Sequence, residues 1–269
     1  MKKKSLAILI ALLGVACLVC GGLLLFQQPK PAVMEPTPST SPTSTPTAEP
    51  TEEPSEEPSE ESQSAQPEAT EEPYVSPIDF ASLQAQNPDI YGWLRIPNTE
   101  FDFPLVQREG DDSYYLTHGS DGAENPAGAI FTESAYNSTD MRDPVTVAYG
   151  HQMHAGTMFG KLQETYSQEN SLEDYGEIIV YLPEKELHYQ VFAAVPYDNR
   201  HILYNYDCTD SRRFNAFLNS IYEVREIGAQ FASGVTVSTG DKVLVLSTCL
   251  AGNPQRRYLV LAVCQAEID

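Results

Sequence analysis

Positive charge is scarce in this chain. Sixteen Lys and Arg stand against 38 Asp and Glu, a formal net charge of −22. Phosphate backbones would be repelled by such a chain, which argues against nucleic acid as a partner. Cysteine is also scarce: Cys17, Cys20, Cys208, Cys249 and Cys264. The first two fall in an apolar run near the N-terminus, so three lie beyond it. Three is an odd count and a poor basis for a disulfide-stapled domain. At least one of these thiols is unpaired or pairs between chains. Aromatic residues are missing altogether from residues 28–73. Without them that stretch cannot bury enough apolar surface to offset its ordering entropy.

What is present divides the chain into four parts. Residues 1–4 hold three lysines and form a basic end. Residues 5–26 carry no charge and match the length of about 20 residues that spans a bilayer core. Basic residues before the span and acidic ones after it predict a transmembrane anchor with its N-terminus inside. The competing reading is a cleaved signal peptide. For that, the run is long and lacks a clear small-x-small site. Residues 27–74, rich in Pro, Ser, Thr and Glu, read as a disordered, self-repelling acidic spacer. The remaining residues, 75–269, suffice for one substantial core.

Within that domain, residues 77–87 predict a short amphipathic helix, with Ser76 as N-cap and Pro77 at the first helical position. Strands are expected near 91–96, 101–107, 127–132 and 145–150, then near 177–182 and 187–196. A second helix is expected at 157–166. Asp210 is positioned to cap a longer helix through about residue 225, with Phe214, Phe217, Leu218 and Tyr222 at helical spacing. Two apolar β-branched runs, 242–248 and 257–263, flank a loop with Gly252, Asn253 and Pro254 and read as a hairpin. Many short strands with few helices predict a mainly β barrel or sandwich with helical insertions.

The hairpin concentrates the chemistry. Cys249 closes its first strand and Arg257 opens its second, so a thiol and a permanent cation share one end of a sheet. The competing reading of Cys249 is a buried structural thiol. Cys264, in an apolar strand without polar neighbours, fits that description. His151 also ends a predicted strand. A cysteine with a distant histidine is the usual sequence trace of a nucleophile and its proton partner. His151 and His154 have a weak metal spacing, but no Cys, Asp or Glu lies close by to complete a site. Arg256 and Arg257 point to opposite faces, so one of them at most can serve an oxyanion.

Val245-Leu246-Ser247-Thr248-Cys249, followed by an arginine and a β-branched strand, resembles the sortase active-site signature. Tyr149-Gly150-His151-Gln152-Met153, then Gly156-Thr157-Met158-Phe159, resembles the histidine motif of class B sortases. The segments at 87–97, 104–107, 113–118 and 128–131 are similar to class B in order and spacing, and the predicted helix at 210–225 looks like the class B insertion. The likeness runs over roughly residues 78–263.

The resemblance implies an eight-stranded sortase barrel, with an N-terminal helix and a longer helix before the cysteine strand. It implies an enzyme on the outer face of a Gram-positive cell membrane, held by a single-pass anchor. Such an enzyme cleaves a C-terminal sorting signal, LPxTG-like or NPxTN-like, through a thioacyl intermediate. It then joins the protein to a cell-wall precursor (a lipid II-type amine) or a pilin lysine. By position, Cys249 is the nucleophile, His151 the proton partner and Arg257 the oxyanion or carbonyl stabiliser. Thr248 helps shape the substrate site. No cofactor or metal is implied. Some class B members carry an acidic residue shortly after the cysteine, where this chain has Leu250, Ala251 and Gly252. A non-catalytic peptide-binding barrel and a sortase-like hydrolase are the alternatives.

Overall fold

The computed structural model describes residues 74–269. The basic end, the anchor and nearly all of the spacer lie outside the described residues. Among those described, no helix is long and apolar enough to cross a membrane.

Helix α1 (Phe80–Gln86) leads into strands β1 (Ile90–Arg95) and β2 (Asp102–Val106), then a 3-10 turn (Tyr114–Leu116). Strands β3 (Ile130–Phe131) and β4 (Val145–Tyr149) precede two short helices, α2 (Leu162–Tyr166) and α3 (Ser171–Asp174). Then come β5 (Glu177–Tyr181), β6 (Glu186–Tyr197), α4 (Ile202–Asn205), α5 (Ser211–Tyr222) and β7 (Gln230–Phe231). The hairpin β8 (Val243–Leu250) and β9 (Asn253–Ile268) follows.

The strand order is β5-β1-β2-β3-β4-β8-β9-β6, and pairing of β5 with β6 closes the ring into an eight-stranded barrel. Strand β7 adds to the far half of β6 outside that ring, with Ala193 opposite Phe231. Closure removes free sheet edges, which would otherwise invite pairing with other chains.

Strand β8 shows why so apolar a run forms here. Leu244 and Leu246 join the barrel interior with Leu94, Leu105, Val180 and Tyr258. Val243 and Val245 face outward, into a second cluster under α5. With both faces covered, the strand reads as a continuous hydrophobic run rather than an alternating one. Asp210 caps α5 by accepting from the amides of Arg212 and Arg213 at 3.0 and 3.1 Å. That helix buries Phe214, Phe217, Leu218 and Ile221. Each contributes about 1.5–3 kcal/mol by leaving water.

Local expectations differ in instructive ways. Helix α1 starts at Phe80 because Asp79, not Ser76, caps it: Oδ1 accepts from the Ser82 amide at 3.0 Å. Ser76 instead accepts from the Ile78 amide. The helix expected from 157 starts at Leu162, because Met158 holds a positive φ of 53° that no α-helix accommodates. On α5 it is Ile221 that is buried, with Tyr222 37 % exposed. The hairpin turn is tighter than expected. Leu250 pairs with Asn253, so only Ala251 and Gly252 turn the chain, Gly252 at φ 77°.

Candidate active site

Three strands bring the candidate residues to one face. Strands β4 and β8 run parallel, with Val145 opposite Val243 and Tyr149 opposite Ser247. The Gly150 amide extends the ladder by donating to the Ser247 carbonyl at 3.1 Å. His151 and Cys249 each stand two residues beyond the last register pair, Cys249 still on β8 and His151 in the loop that leaves β4. Across the antiparallel hairpin, Cys249 pairs directly with Arg257. Strand alternation puts Ser247, Cys249, Arg257 and Leu259 on the outer face of the barrel, that of the cluster under α5.

Cys249 and Arg257 are both half-buried. Arg257 Nη1 lies 3.7 Å from Cys249 Sγ and also donates to the carbonyls of Pro254 and Arg256, each at 3.2 Å. Two carbonyls thus hold the guanidinium against the sulfur. No carboxylate within salt-bridge reach neutralises Arg257 among the described residues. Arg256 differs: Glu226 takes it in a two-pronged pair at 2.5 and 2.6 Å. Of the two arginines, only Arg257 has charge to offer at the thiol.

His151 is fixed from a loop that residue-type reasoning does not single out. Its Nε2 donates to the Leu116 carbonyl at 2.8 Å. A carbonyl can only accept, so Nε2 carries the hydrogen and Nδ1 is left as the nitrogen that can take up a proton. Gly128 makes room for this ring, and Gly150 lets the chain before it pass close over the core. Gly128 has φ 63°, and a Cβ there would meet the Tyr115 carbonyl at 2.4 Å and His151 Cδ2 at 3.2 Å. At Gly150, a Cβ would fall 2.5 Å from Ile130 and 2.7 Å from Phe159. The segment at 113–118, noted in the sequence for its likeness to class B, was the available signal for the Leu116 contact.

Thr248 is placed elsewhere. It is 2 % exposed, pairs with Tyr258, and shares the interior face of Leu244 and Leu246. Alternation turns its side chain away from Cys249 Sγ, and its hydroxyl finds no hydrogen-bond partner. Its side chain lies within the core, not on the surface that carries the thiol.

Of the other free thiols, Cys208 is buried, and that burial, helped by the charge of Asp207, pushes its pKa up to about 12. Burial raises Cys264 as well. Among the described residues no group of His, Cys, Asp and Glu is arranged to hold a metal ion.

The sortase family model matches residues 94–265, well over half of the chain and with every residue of this cluster inside it. The chain belongs to the sortase family, in its class B branch. Sortase B of Listeria monocytogenes is 29 % identical over 182 residues, covering 64 % of this chain and 67 % of that protein. The structure of sortase B from Bacillus anthracis is 26 % identical with a TM-score of 0.59, covering 69 % of this chain and 83 % of that one. A Streptococcus pyogenes class B sortase involved in pilus biogenesis shares the fold, with a TM-score of 0.61 at 24 % identity, covering 70 % of this chain and 98 % of that one. As a sortase, this chain is a cysteine transpeptidase that acts on sorting-signal substrates.

Proposed function

We propose that Cys249 is the nucleophile, His151 its proton partner and Arg257 the stabiliser of negative charge on the substrate carbonyl. The observation that carries this reading is the 3.7 Å approach of an uncompensated guanidinium to Cys249 Sγ. The sulfur, as thiolate, attacks the scissile carbonyl, and Arg257 stabilises the charge that develops on oxygen. Protonated on Nδ1, His151 delivers that proton to the leaving amine. The C–N bond breaks and a thioester to Cys249 remains. A second amine then displaces the sulfur and forms a new amide. Thr248 serves from inside the barrel, through the ladder that holds Cys249 in place.

The enzyme works at the outer surface of a Gram-positive cell, held by residues 5–26 and set off from the membrane by residues 27–74. Its substrates are secreted proteins ending in an LPxTG-like or NPxTN-like signal. The acceptor is a lipid II-type cell-wall amine or a pilin lysine.

Intact-mass measurement tests the chemistry. The domain from Tyr74 to Asp269 is incubated with peptides of both signal types, beside Cys249→Ala. An acyl adduct confined to the unsubstituted protein is expected, and the reactive peptide names the signal class. An adduct that survives Cys249→Ala removes the nucleophile assignment.

A further inference from the structure

The carbonyl that fixes His151 is itself held by contacts that reach back to the entrance of β1. Leu116 closes the 3-10 turn Tyr114–Leu116. The carbonyls on either side of it are taken up by the backbone. The Ala129 amide donates to the Tyr115 carbonyl at 3.0 Å, and the Asn125 amide donates to the Thr117 carbonyl at 2.8 Å. Between them, the Leu116 carbonyl accepts from His151 Nε2 at 2.8 Å. A shift or rotation of this turn would move the acceptor that decides which ring nitrogen carries the hydrogen.

One phenol anchors the turn. Tyr115 is 1 % exposed, and its hydroxyl has both of its roles filled. It donates to Asp89 Oδ2 at 2.8 Å and accepts from Asn87 Nδ2 at 2.8 Å. Asn87, the C-cap of α1, is buried and gives its other amide hydrogen to the Ser120 carbonyl at 2.9 Å. Its Oδ1 accepts from the Asp89 amide at 3.1 Å. Arg108 Nη1 meets Asp89 Oδ2 at 3.1 Å and compensates its charge. The same guanidinium lies over the Tyr114 ring at 4.1 Å, and that ring stacks on His118 at 3.9 Å. Both tyrosines that precede Leu116 are thus clamped by groups from the segment entering β1 and the segment leaving β2.

The barrel closes through the backbone pairing of β5 with β6, in which none of these side chains takes part. An apolar side chain at 115 would also bury the turn, but it would not dictate one orientation. A buried polar network with every member satisfied does. The orientation it dictates is that of the Leu116 carbonyl, one residue along the chain.

We infer that Tyr115 and Asp89 are positioning residues for the reaction: through the Leu116 carbonyl they hold His151 as its Nε2–H tautomer, with Nδ1 turned over to the transferred proton. This rests on the reading of His151 as proton partner and names what keeps the ring in its working form. Neither residue touches substrate. Their effect reaches the chemistry only through the position and tautomer of the imidazole.

Nitrogen NMR of the histidine rings tests the inference, recorded on the neutral rings at alkaline pH, with His151 assigned from a His151→Gln spectrum. In the unsubstituted protein the two ring nitrogens of His151 should be widely separated, as one tautomer requires. In Tyr115→Phe they should move toward each other as both tautomers populate. Transpeptidation kinetics on the same variant should show kcat lowered by about tenfold or more, the cost of a misplaced reacting group, with the peptide KM within about twofold. Asp89→Asn keeps an acceptor for the phenol and should fall between, and it carries the test if Tyr115→Phe does not fold. Tyr91→Phe is the matched control. It removes another buried phenol hydroxyl, which sits 3.0 Å from Thr132 Oγ1 and touches no residue of the turn. It should leave both the His151 signals and kcat unchanged. Unchanged His151 signals in Tyr115→Phe and Asp89→Asn, or equal changes in Tyr91→Phe, would overturn the assignment. Absence of any thioacyl adduct in the unsubstituted protein would count against the transpeptidase reading instead, and the ring spectra would still decide the positioning.

Discussion

Arg257 faces Cys249 directly across the β8–β9 ladder, its Nη1 3.7 Å from Sγ, while its neighbour Arg256 turns away to Glu226. Arg257→Ala should therefore lower kcat/KM by about 10²-fold or more, the cost of losing one donor to a developing oxyanion. Arg257→Lys should recover only part of this, since an ammonium lacks the guanidinium fork. Arg256→Ala should leave kcat/KM within about threefold and cost at most about 1 kcal/mol of stability, as an exposed ion pair does. The reverse ranking of the two alanine variants would reassign the cation.

The cysteines should separate by alkylation. Cys208 is buried with its pKa pushed up to about 12, so at about pH 8 only about one molecule in 10⁴ carries it as thiolate. Its labelling should climb about tenfold per pH unit toward that value. Cys249, half-buried beside Arg257, should be modified first. Peptide mapping after brief iodoacetamide treatment reads the order, and equal rates at Cys208 and Cys249 would contradict it.

Gly128→Ala tests how the imidazole is held. A methyl there meets the Tyr115 carbonyl at 2.4 Å and crowds the ring of His151, at a positive φ. The expected cost is about 1–3 kcal/mol of stability, the usual range for such backbone strain, with a further loss of activity as the ring is displaced. Gly122→Ala is the control. It has φ 76° and nothing within 4 Å of the added carbon. It should destabilise while leaving turnover per folded molecule unchanged. Denaturation and kcat, measured on both, separate the two effects.

His188 gives the barrel a pH-dependent clasp. Its Nδ1 meets Glu177 at 2.9 Å and its Nε2 meets Glu186 at 3.0 Å, and the two carboxylates raise its pKa. A raised value stabilises the fold fully below the ordinary imidazole value near 6.5, and the gain is lost as pH rises through the folded-state value. His188→Gln should thus cost about 1 kcal/mol at about pH 5 and much less at about pH 9, the low figure reflecting the half-exposed Glu177. Urea melts at both pH values check it. A cost that grows with pH would reverse the argument.

The hairpin was legible because its pattern is local. Apolar runs announce β8 and β9, and Gly252 marks the turn between Cys249 and Arg257. Asp210 as the α5 cap was legible for the same reason. The parallel pairing of β4 with β8 was not, since no short stretch records which distant strand lies alongside. Residue types did not reveal the Leu116 carbonyl behind His151 either, because any residue offers a carbonyl; only the class B likeness of 113–118 pointed to that segment. Thr248 illustrates the reverse limit. Its neighbour's chemistry drew attention to it, while strict alternation along β8 sends its side chain into the core.

Strand β9 follows the other described elements in the chain, and it pairs with both β8 and β6. It also carries Arg257. A growing chain thus exposes its histidine early, its cysteine late and its guanidinium last. The long-range pairing that brings them side by side cannot form until synthesis has passed β9. Until then Cys249 lacks the guanidinium that faces it in the folded barrel. Shortening the C-terminus through β9 should leave a chain that holds both sulfur and imidazole yet is chemically silent. On the mechanism proposed above, docking β9 into the barrel is also what arms the thiol.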